Sequence, residues 1–330
     1  MKYELFESIC NMSQKKLKGY VATELRKTYS DVYMGDGYVY AQGTFPVLLV
    51  AHLDTVHKKL PGVILYDVDD DAYSSPNGIG GDDRCGVYMI FQVIEKFNCS
   101  VLFCEDEEIG GIGAKKFIET DLAKELKFNY AIEFDRKNGK DAVFYDCDNE
   151  DFEEFITKEF YSTAWGSFSD ISTLAPFLGC AAVNLSCGYY NAHTEKEYVV
   201  AKEMDASIEA ACKILERTTE EDKFEYIEAT YKNYYDYGYG GYAYGYGYGG
   251  YGKRYSSYGK GYSNGYSYSE DYGYEDDFLN YYLIEFKHNN GKSDWYETYA
   301  VSEAEAVGRF LMWNPTLCYR NIVDIMMEKM

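Results

Sequence analysis

Four short apolar runs in this chain each end in acids or lead toward a histidine, and that recurrence limits what the chain can fold into. Val47-Leu48-Leu49-Val50 leads to His52-Leu53-Asp54, and Ser100-Val101-Leu102-Phe103-Cys104 to Glu105-Asp106-Glu107-Glu108. Phe128 to Phe134 ends in Asp135, and Cys180 to Leu185 is followed by a loop carrying His193. Apolar runs of this length with β-branched members read as strands buried on both faces. Strands alternating with helices from 45 to 217 predict an α/β fold: three αβα layers around a central mixed, mostly parallel sheet. Open sheets of this kind place their ligands at the carboxyl ends of the strands. Each of these polar residues also has a bland reading, as a hydrogen-bonded histidine or an acidic surface loop. The bland readings do not predict one edge for all of them.

The remaining elements are placed by periodicity. Residues 4–29 carry apolar groups at helical spacing, with Ser13 as an N-cap between two helices. Asp31 to Ala41 reads as a hairpin around Gly35-Asp36-Gly37, and 63–77 as two short strands around Asp69-Asp70-Asp71. A helix is expected from Val87 to Phe97. Ala142 to Tyr145 reads as an edge strand, and 150–160 as a helix. Another helix is capped by Asp170, and a long one spans 201–217.

Composition excludes some partners. There are 32 Lys and Arg against 55 Asp and Glu, a net charge of −23, which argues against binding a nucleic-acid backbone. Nine cysteines without a Cys-x-x-Cys pair fit reduced, buried thiols and a cytoplasmic location rather than a disulfide framework. No apolar run is long enough to span a membrane, and no signal core is seen.

The polar residues at the strand ends suggest metal chemistry. His52 and Asp54 are two apart and point to one side of an extended chain, so Asp54 is a candidate to orient a metal-binding His52. Gly78-Ile79-Gly80-Gly81-Asp82-Asp83-Arg84-Cys85-Gly86 precedes a helix; it reads either as an acidic N-cap or as a turn holding a metal-bridging carboxylate. Two His, a bridging Asp, a Glu and a further Asp suit two zinc ions, with cobalt or manganese as weaker fits. An acid beside a metal-binding Glu is a candidate general base for hydrolysis of an amide bond.

In order, His52-x-Asp54-Thr55-Val56, Gly81-Asp82-Asp83-x-x-Gly86, Glu107-Glu108-x-Gly110, Asp135 and His193-Thr194-x-x-Glu197 resemble the motifs of the co-catalytic di-zinc exopeptidases. That group spans tripeptide and leucyl aminopeptidases, carboxypeptidases and deacylases. The resemblance covers about residues 1–218. It implies that Asp82 bridges two zinc ions, with His52 and Asp135 completing one site and Glu108 and His193 the other. It also implies that Glu107 is the general base, that Asp54 orients His52, and that the Asp82–Asp83 peptide is cis. His57, Glu105 and His288 are not expected to be ligands. Some members carry a lid or dimerisation domain between the strand Asp and the last His. Residues 136–192 read instead as core elements, so that domain is expected to be absent. The implied activity is aminopeptidase action on short peptides. A deacylase of small N-acyl amino acids and an inactive scaffold are the alternatives.

The expected domains are a catalytic domain over 1–220, a Tyr/Gly-rich linker over 221–277 and a small α+β module over 278–330. From Tyr231 to Tyr274 the chain is mostly Tyr and Gly, with nothing aliphatic to bury, and reads as disordered. Self-association or tethering through it is the candidate interaction. The module reads as ββαβ: two strands around an Asn-Asn-Gly turn at 289–291, a helix from Ser302 to Trp313, and a strand at Ile322 to Met327.

Overall fold

The structure is a computed structural model describing residues 2–158, 160–166, 168–229, 280–288, 292–300, 310 and 322–328. The chain divides into two units, Met1–Gly245 and Tyr246–Met330, each described by itself. The Tyr/Gly-rich stretch from 231 to 274, the 289–291 turn and all of the 302–313 helix except Phe310 lie outside the described residues.

The first unit opens with α1 (Tyr3–Cys10) and α2 (Gln14–Leu25). Ser13 stands at the N-cap of α2 as expected, though its side chain makes no capping bond. The hairpin follows as β1 (Val32–Gly35) and β2 (Tyr38–Ala41), and then β3 (Phe45–His52). Two short strands, β4 (Leu65–Asp67) and β5 (Ala72–Ser74), flank the acidic turn. Helix α3 spans Gly81–Val93, starting earlier than its apolar pattern suggests, because its first turn is irregular at Asp82 and Asp83. After β6 (Cys99–Cys104) come α4 (Ile112–Ile118), α5 (Asp121–Glu125) and β7 (Tyr130–Arg136). The elements β8 (Asp141–Val143), α6 (Glu150–Thr157), β9 (Ser162–Thr163), α7 (Asp170–Leu178) and β10 (Ala182–Ser186) lead to β11 (Tyr189–Tyr190) and β12 (Tyr198–Val200). Helix α8 (Ala201–Arg217) closes the unit.

The main sheet has the order β1-β2-β6-β3-β7-β10-β8-β9. Its centre is parallel: β6, β3, β7 and β10 run together, with His52 opposite Cys104 and Val50 opposite Glu133. β8 is not an edge strand: it pairs with β10 on one side and β9 on the other. Residues 136–192 thus build strands β8, β9 and β10 of the main sheet and helices beside it, as expected for a chain without an inserted lid. A second sheet, β11-β12-β5-β4, carries the loop with His193.

Alternation on the central strands explains the two helical layers. Val47, Leu49 and Ala51 join the core with Phe6, Leu17, Val87, Ile90 and Ala211 from α1, α2, α3 and α8. Leu48 and Val50 join the opposite core with Ala114, Phe117, Leu174 and Leu178 from α4 and α7. A strand buried on both faces needs an unbroken apolar run, which is what its sequence shows.

The nine residues expected to open the linker, 221–229, lie against the first unit. Phe224 N–H donates to Asn129 O at 3.0 Å, Ala229 N–H to Asp146 O at 2.8 Å, and the Phe224 ring lies 5.1 Å from those of Phe152 and Phe155.

The second unit contains β13 (Asn280–Lys287), β14 (Ser293–Ala300) and β15 (Ile322–Glu328). β13 is central and antiparallel to both neighbours. Tyr282, Ile284 and Phe286 are buried at alternate positions, with Phe310 packed 4.7 Å from Phe286. Among the described residues, no helix is long and apolar enough to cross a membrane, and eight cysteines are buried and unpaired.

Candidate metal centre

The seven residues singled out in the sequence converge at the carboxyl edge of the central strands. His52 is the last residue of β3, and its ring is fully buried. Its Nε2 lies 3.0 Å from Asp82 Oδ1 and 3.4 Å from Asp135 Oδ1. The other carboxylate oxygen of Asp82 is 3.1 Å from His193 Nε2, which is 3.1 Å from Glu108 Oε2. The residues form two groups that could each hold a metal ion, His52–Asp82–Asp135 and Asp82–Glu108–His193, with donor atoms within 4.8 Å of one another in each. Asp82 belongs to both.

The positions of these side chains have local causes. Asp82 follows Gly80, whose backbone is left-handed at φ 69°, and the Asp82–Asp83 peptide is cis. Asp83 turns into the interior, where it accepts from His52 N–H at 3.0 Å and Gly86 N–H at 2.8 Å. Asp54 lies 3.2 Å from His52 Nδ1 through its Oδ1, which also accepts from Glu107 N–H at 3.0 Å; its Oδ2 accepts from Glu108 N–H at 3.1 Å. Asp54 therefore orients the imidazole and also ties the Glu107–Glu108 turn to β3. Asp135 is held by Tyr189 OH at 3.3 Å and Ser169 Oγ at 3.2 Å. The cap position of α7 belongs to Ser169, not Asp170; Asp170 is the first helical residue, and Ser169 instead reaches the site.

Electrostatics follow from crowding these groups out of water. Burial disfavours charge on His52, but Asp135, Asp54 and Asp82 outweigh it and hold its pKa well above the usual imidazole range. His193 is raised to about 11: burial opposes the shift, and Asp82 and Glu108 produce it. Burial raises Asp82, yet its bonds to both imidazoles hold it below the usual carboxylate range. Glu108 is pushed up to about 7 by burial and by Asp82. Burial also puts Glu107 well above the usual range; the His52 charge opposes this, and Asp135, Asp170 and Glu108 add to it.

This donor set fits divalent cations. Buried acids this close repel one another unless protonated or neutralised. Glu108 Oε1 is buried with no hydrogen-bond partner. Nitrogen and carboxylate oxygen donors, with His52 oriented by Asp54 and Asp135 by Tyr189 and Ser169, are what zinc takes.

Sequence reasoning passed over one residue with a clear part in the geometry. Glu197 is fully buried and accepts from Asp82 N–H at 3.0 Å and Gly80 N–H at 2.8 Å. His57 Nε2 lies 2.8 Å from the same carboxylate, so His57 supports the turn rather than a metal. The sequence signal for it is the spacing His193-Thr194-x-x-Glu197. Glu105 is paired with the Lys18 ammonium, and His288 lies in the second unit, 3.5 Å from Asp294. Two further acids, Glu133 and Asp170, are fully buried behind Asp135. Glu133 Oε2 accepts from Ser169 Oγ, while Asp170 meets the Cys104 thiol and its oxygens have no other partner.

No protein-family model matches the chain, and no curated protein matches it. Solved structures do. A tripeptidase from Staphylococcus aureus is 14% identical, with a TM-score of 0.52 over 64% of this chain and 96% of its own. A TET aminopeptidase from a marine sediment thaumarchaeon is 11% identical, with a TM-score of 0.53 over 67% and 97%. An aminopeptidase from the archaeon Desulfurococcus kamchatkensis is 15% identical, with a TM-score of 0.51 over 66% and 94%. The αβα fold expected from the strand pattern is thus the fold of these peptidases.

Proposed function

We propose that the chain is a zinc-dependent exopeptidase of the aminopeptidase kind, cleaving the amide bond at the end of a short peptide. The observation that carries this reading is Asp82, whose two carboxylate oxygens face two separate donor groups while Glu107 stands on the adjoining turn. His52, Asp82 and Asp135 would hold one zinc ion, and Asp82, Glu108 and His193 the second. The names of the tripeptidase and aminopeptidases that share the fold support the same reading.

When bound, zinc polarises a carbonyl and acidifies water. Glu107 takes the proton from the attacking water as its oxygen bonds to the carbonyl carbon. It then returns that proton to the departing amine nitrogen as the C–N bond breaks. Asp54 holds the turn that presents Glu107 by accepting its backbone N–H. Glu197 holds the turn that presents Asp82.

The test is metal content together with hydrolysis of aminoacyl-nitroanilides, tripeptides and N-acyl amino acids by the zinc-loaded full chain. The expected result is bound zinc and cleavage of substrates with a free amino end. Glu107→Gln is expected to keep the metal and lower kcat by about 10²- to 10⁴-fold. A metal-loaded Glu107→Gln chain that hydrolyses as fast as the parent would refute the mechanism.

A further inference from the structure

Arg84 is only 3% exposed, and an arginine this deeply buried is normally paired with an acid. Its acceptors among the described residues are instead two backbone carbonyls. Nη1 donates to Leu53 O and Nη2 to Met12 O at 3.2 Å, while Nε has no partner. The guanidinium thus joins two segments distant in sequence: the end of β3, and the turn between α1 and α2. Burial lowers the pKa of Arg84, and Cys10, Asp54 and Asp83 oppose that, so the group stays charged.

The end of β3 is gripped atom by atom. Asp83 accepts His52 N–H at 3.0 Å, Cys104 O accepts Leu53 N–H at 2.7 Å, and Arg84 takes Leu53 O. Asp82, Asp83 and Arg84 are consecutive. The turn that supplies the shared carboxylate therefore also fixes the backbone on which His52 and Asp54 stand. The Leu53 carbonyl belongs to the peptide that leads into Asp54. Rotating that peptide would carry the Asp54 carboxylate away from His52 Nδ1, now at 3.2 Å, and from Glu107 N–H and Glu108 N–H at 3.0 and 3.1 Å. A buried carbonyl that loses its donor is costly, which opposes the rotation.

We propose that Arg84 is a positioning residue for the metal centre: its guanidinium locks the Leu53 peptide, and through it the placement of His52, Asp54 and the Glu107–Glu108 turn. The inference deepens the exopeptidase reading above and rests on it. Two carbonyls from separate segments call for the rigid fork of a guanidinium. Lysine is a point charge on a flexible stem, which does not fix two directions at once. An anchor for the N-terminal helices alone would need only the bond to Met12.

The experiment uses the full chain, loaded with zinc for affinity and rates and with cobalt(II) for its visible spectrum. Arg84→Lys keeps the charge, and Arg84→Met keeps an unbranched stem without charge or donor. Arg84→Lys, with native far-UV circular dichroism, is expected to bind zinc about 10- to 100-fold more weakly in chelator competition. Its cobalt bands should shift at full loading, and its kcat at saturating zinc should fall while KM stays within about twofold. Arg84→Met should lose more of each. A lysine variant that matches the parent in zinc affinity and cobalt bands would overturn the inference. So would variants that lose only resistance to urea, because a mere anchor of the N-terminal helices behaves that way. A parent chain that binds zinc but cleaves nothing in the substrate panel would refute the exopeptidase reading, while the affinities and bands still decide the role of Arg84. A parent chain that binds no zinc would overturn both.

Discussion

Glu197 accepts the backbone N–H of Asp82 at 3.0 Å, so a residue outside the donor set fixes the carboxylate that both groups share. Its other oxygen takes Gly80 N–H at 2.8 Å. In Glu197→Gln, the amide NH₂ must face one of these donors, and a buried N–H loses its partner. Supports of this kind typically change metal affinity by about 10- to 100-fold. Glu197→Gln is therefore expected to weaken zinc binding by about that factor while far-UV circular dichroism stays native. A chelator-competition titration measures it, and unchanged affinity would remove Glu197 from the metal centre's support.

Asp54 makes a different demand, because one carboxylate serves an imidazole and two backbone N–H groups. Asp54→Ala frees all three, whereas Asp54→Asn keeps one acceptor oxygen. Both variants should lose zinc affinity and kcat, and alanine should lose more, on the order of 10- to 100-fold in affinity. Metal content and steady-state kinetics on one substrate rank the two. Equal losses would mean that the carboxylate acts only through its charge.

The strand ends were legible because a strand buried on both faces has to be apolar throughout, so the first polar residue after it marks the sheet edge. His52, the Glu107–Glu108 pair and Asp135 were visible for that reason. Glu197 was not legible in its role, because its partners are backbone N–H groups 115 and 117 residues away, and any side chain can sit above a backbone donor. β8 differs from the expected edge strand because a three-residue strand shows no alternation to reveal both neighbours. Ser169 and Asp170 are both good caps, and only the fold decides between them. Glu133 hides inside an apolar strand as a lone acid, and its bond to Ser169 depends on how α7 packs on β7.

Gly86 shows how tightly the helix carrying Asp82 is set against the sheet. A Cβ there would lie 1.9 Å from Phe134 O and 2.5 Å from both Asp83 oxygens. The Phe134 carbonyl belongs to β7, so the strand that delivers Asp135 would have to move. Overpacking of this sort costs about 1–3 kcal/mol and sometimes more. Gly86→Ala is expected at or above the upper end, measured as a lower midpoint in urea unfolding. A loss under about 0.5 kcal/mol, the range of an ordinary surface substitution, would show that α3 and β7 are not rigidly apposed.

Asp170 ties stability to pH in the metal-free chain. Burial pushes its pKa up to about 7; the His52 charge and a bond with Cys104 oppose this, and Asp135 adds to it. In the unfolded chain the same carboxyl titrates near its ordinary value of 3.8. Between those two values the folded state binds more protons than the unfolded state, so this group lowers stability as pH rises from about 4 to about 7. Below that window its contribution is intact, and above it the loss is complete. Asp170→Asn stays neutral throughout, and neither Asp170 oxygen has a hydrogen bond to lose beyond the Cys104 contact. The chelated variant is expected to be more stable than the chelated parent at pH 8, by roughly 1 kcal/mol or more. The two should converge near pH 4. Urea unfolding at both pH values, with chelator present, measures the difference. A variant less stable than the parent at pH 8 would show that the ionised Asp170 carboxylate is held by a favourable partner.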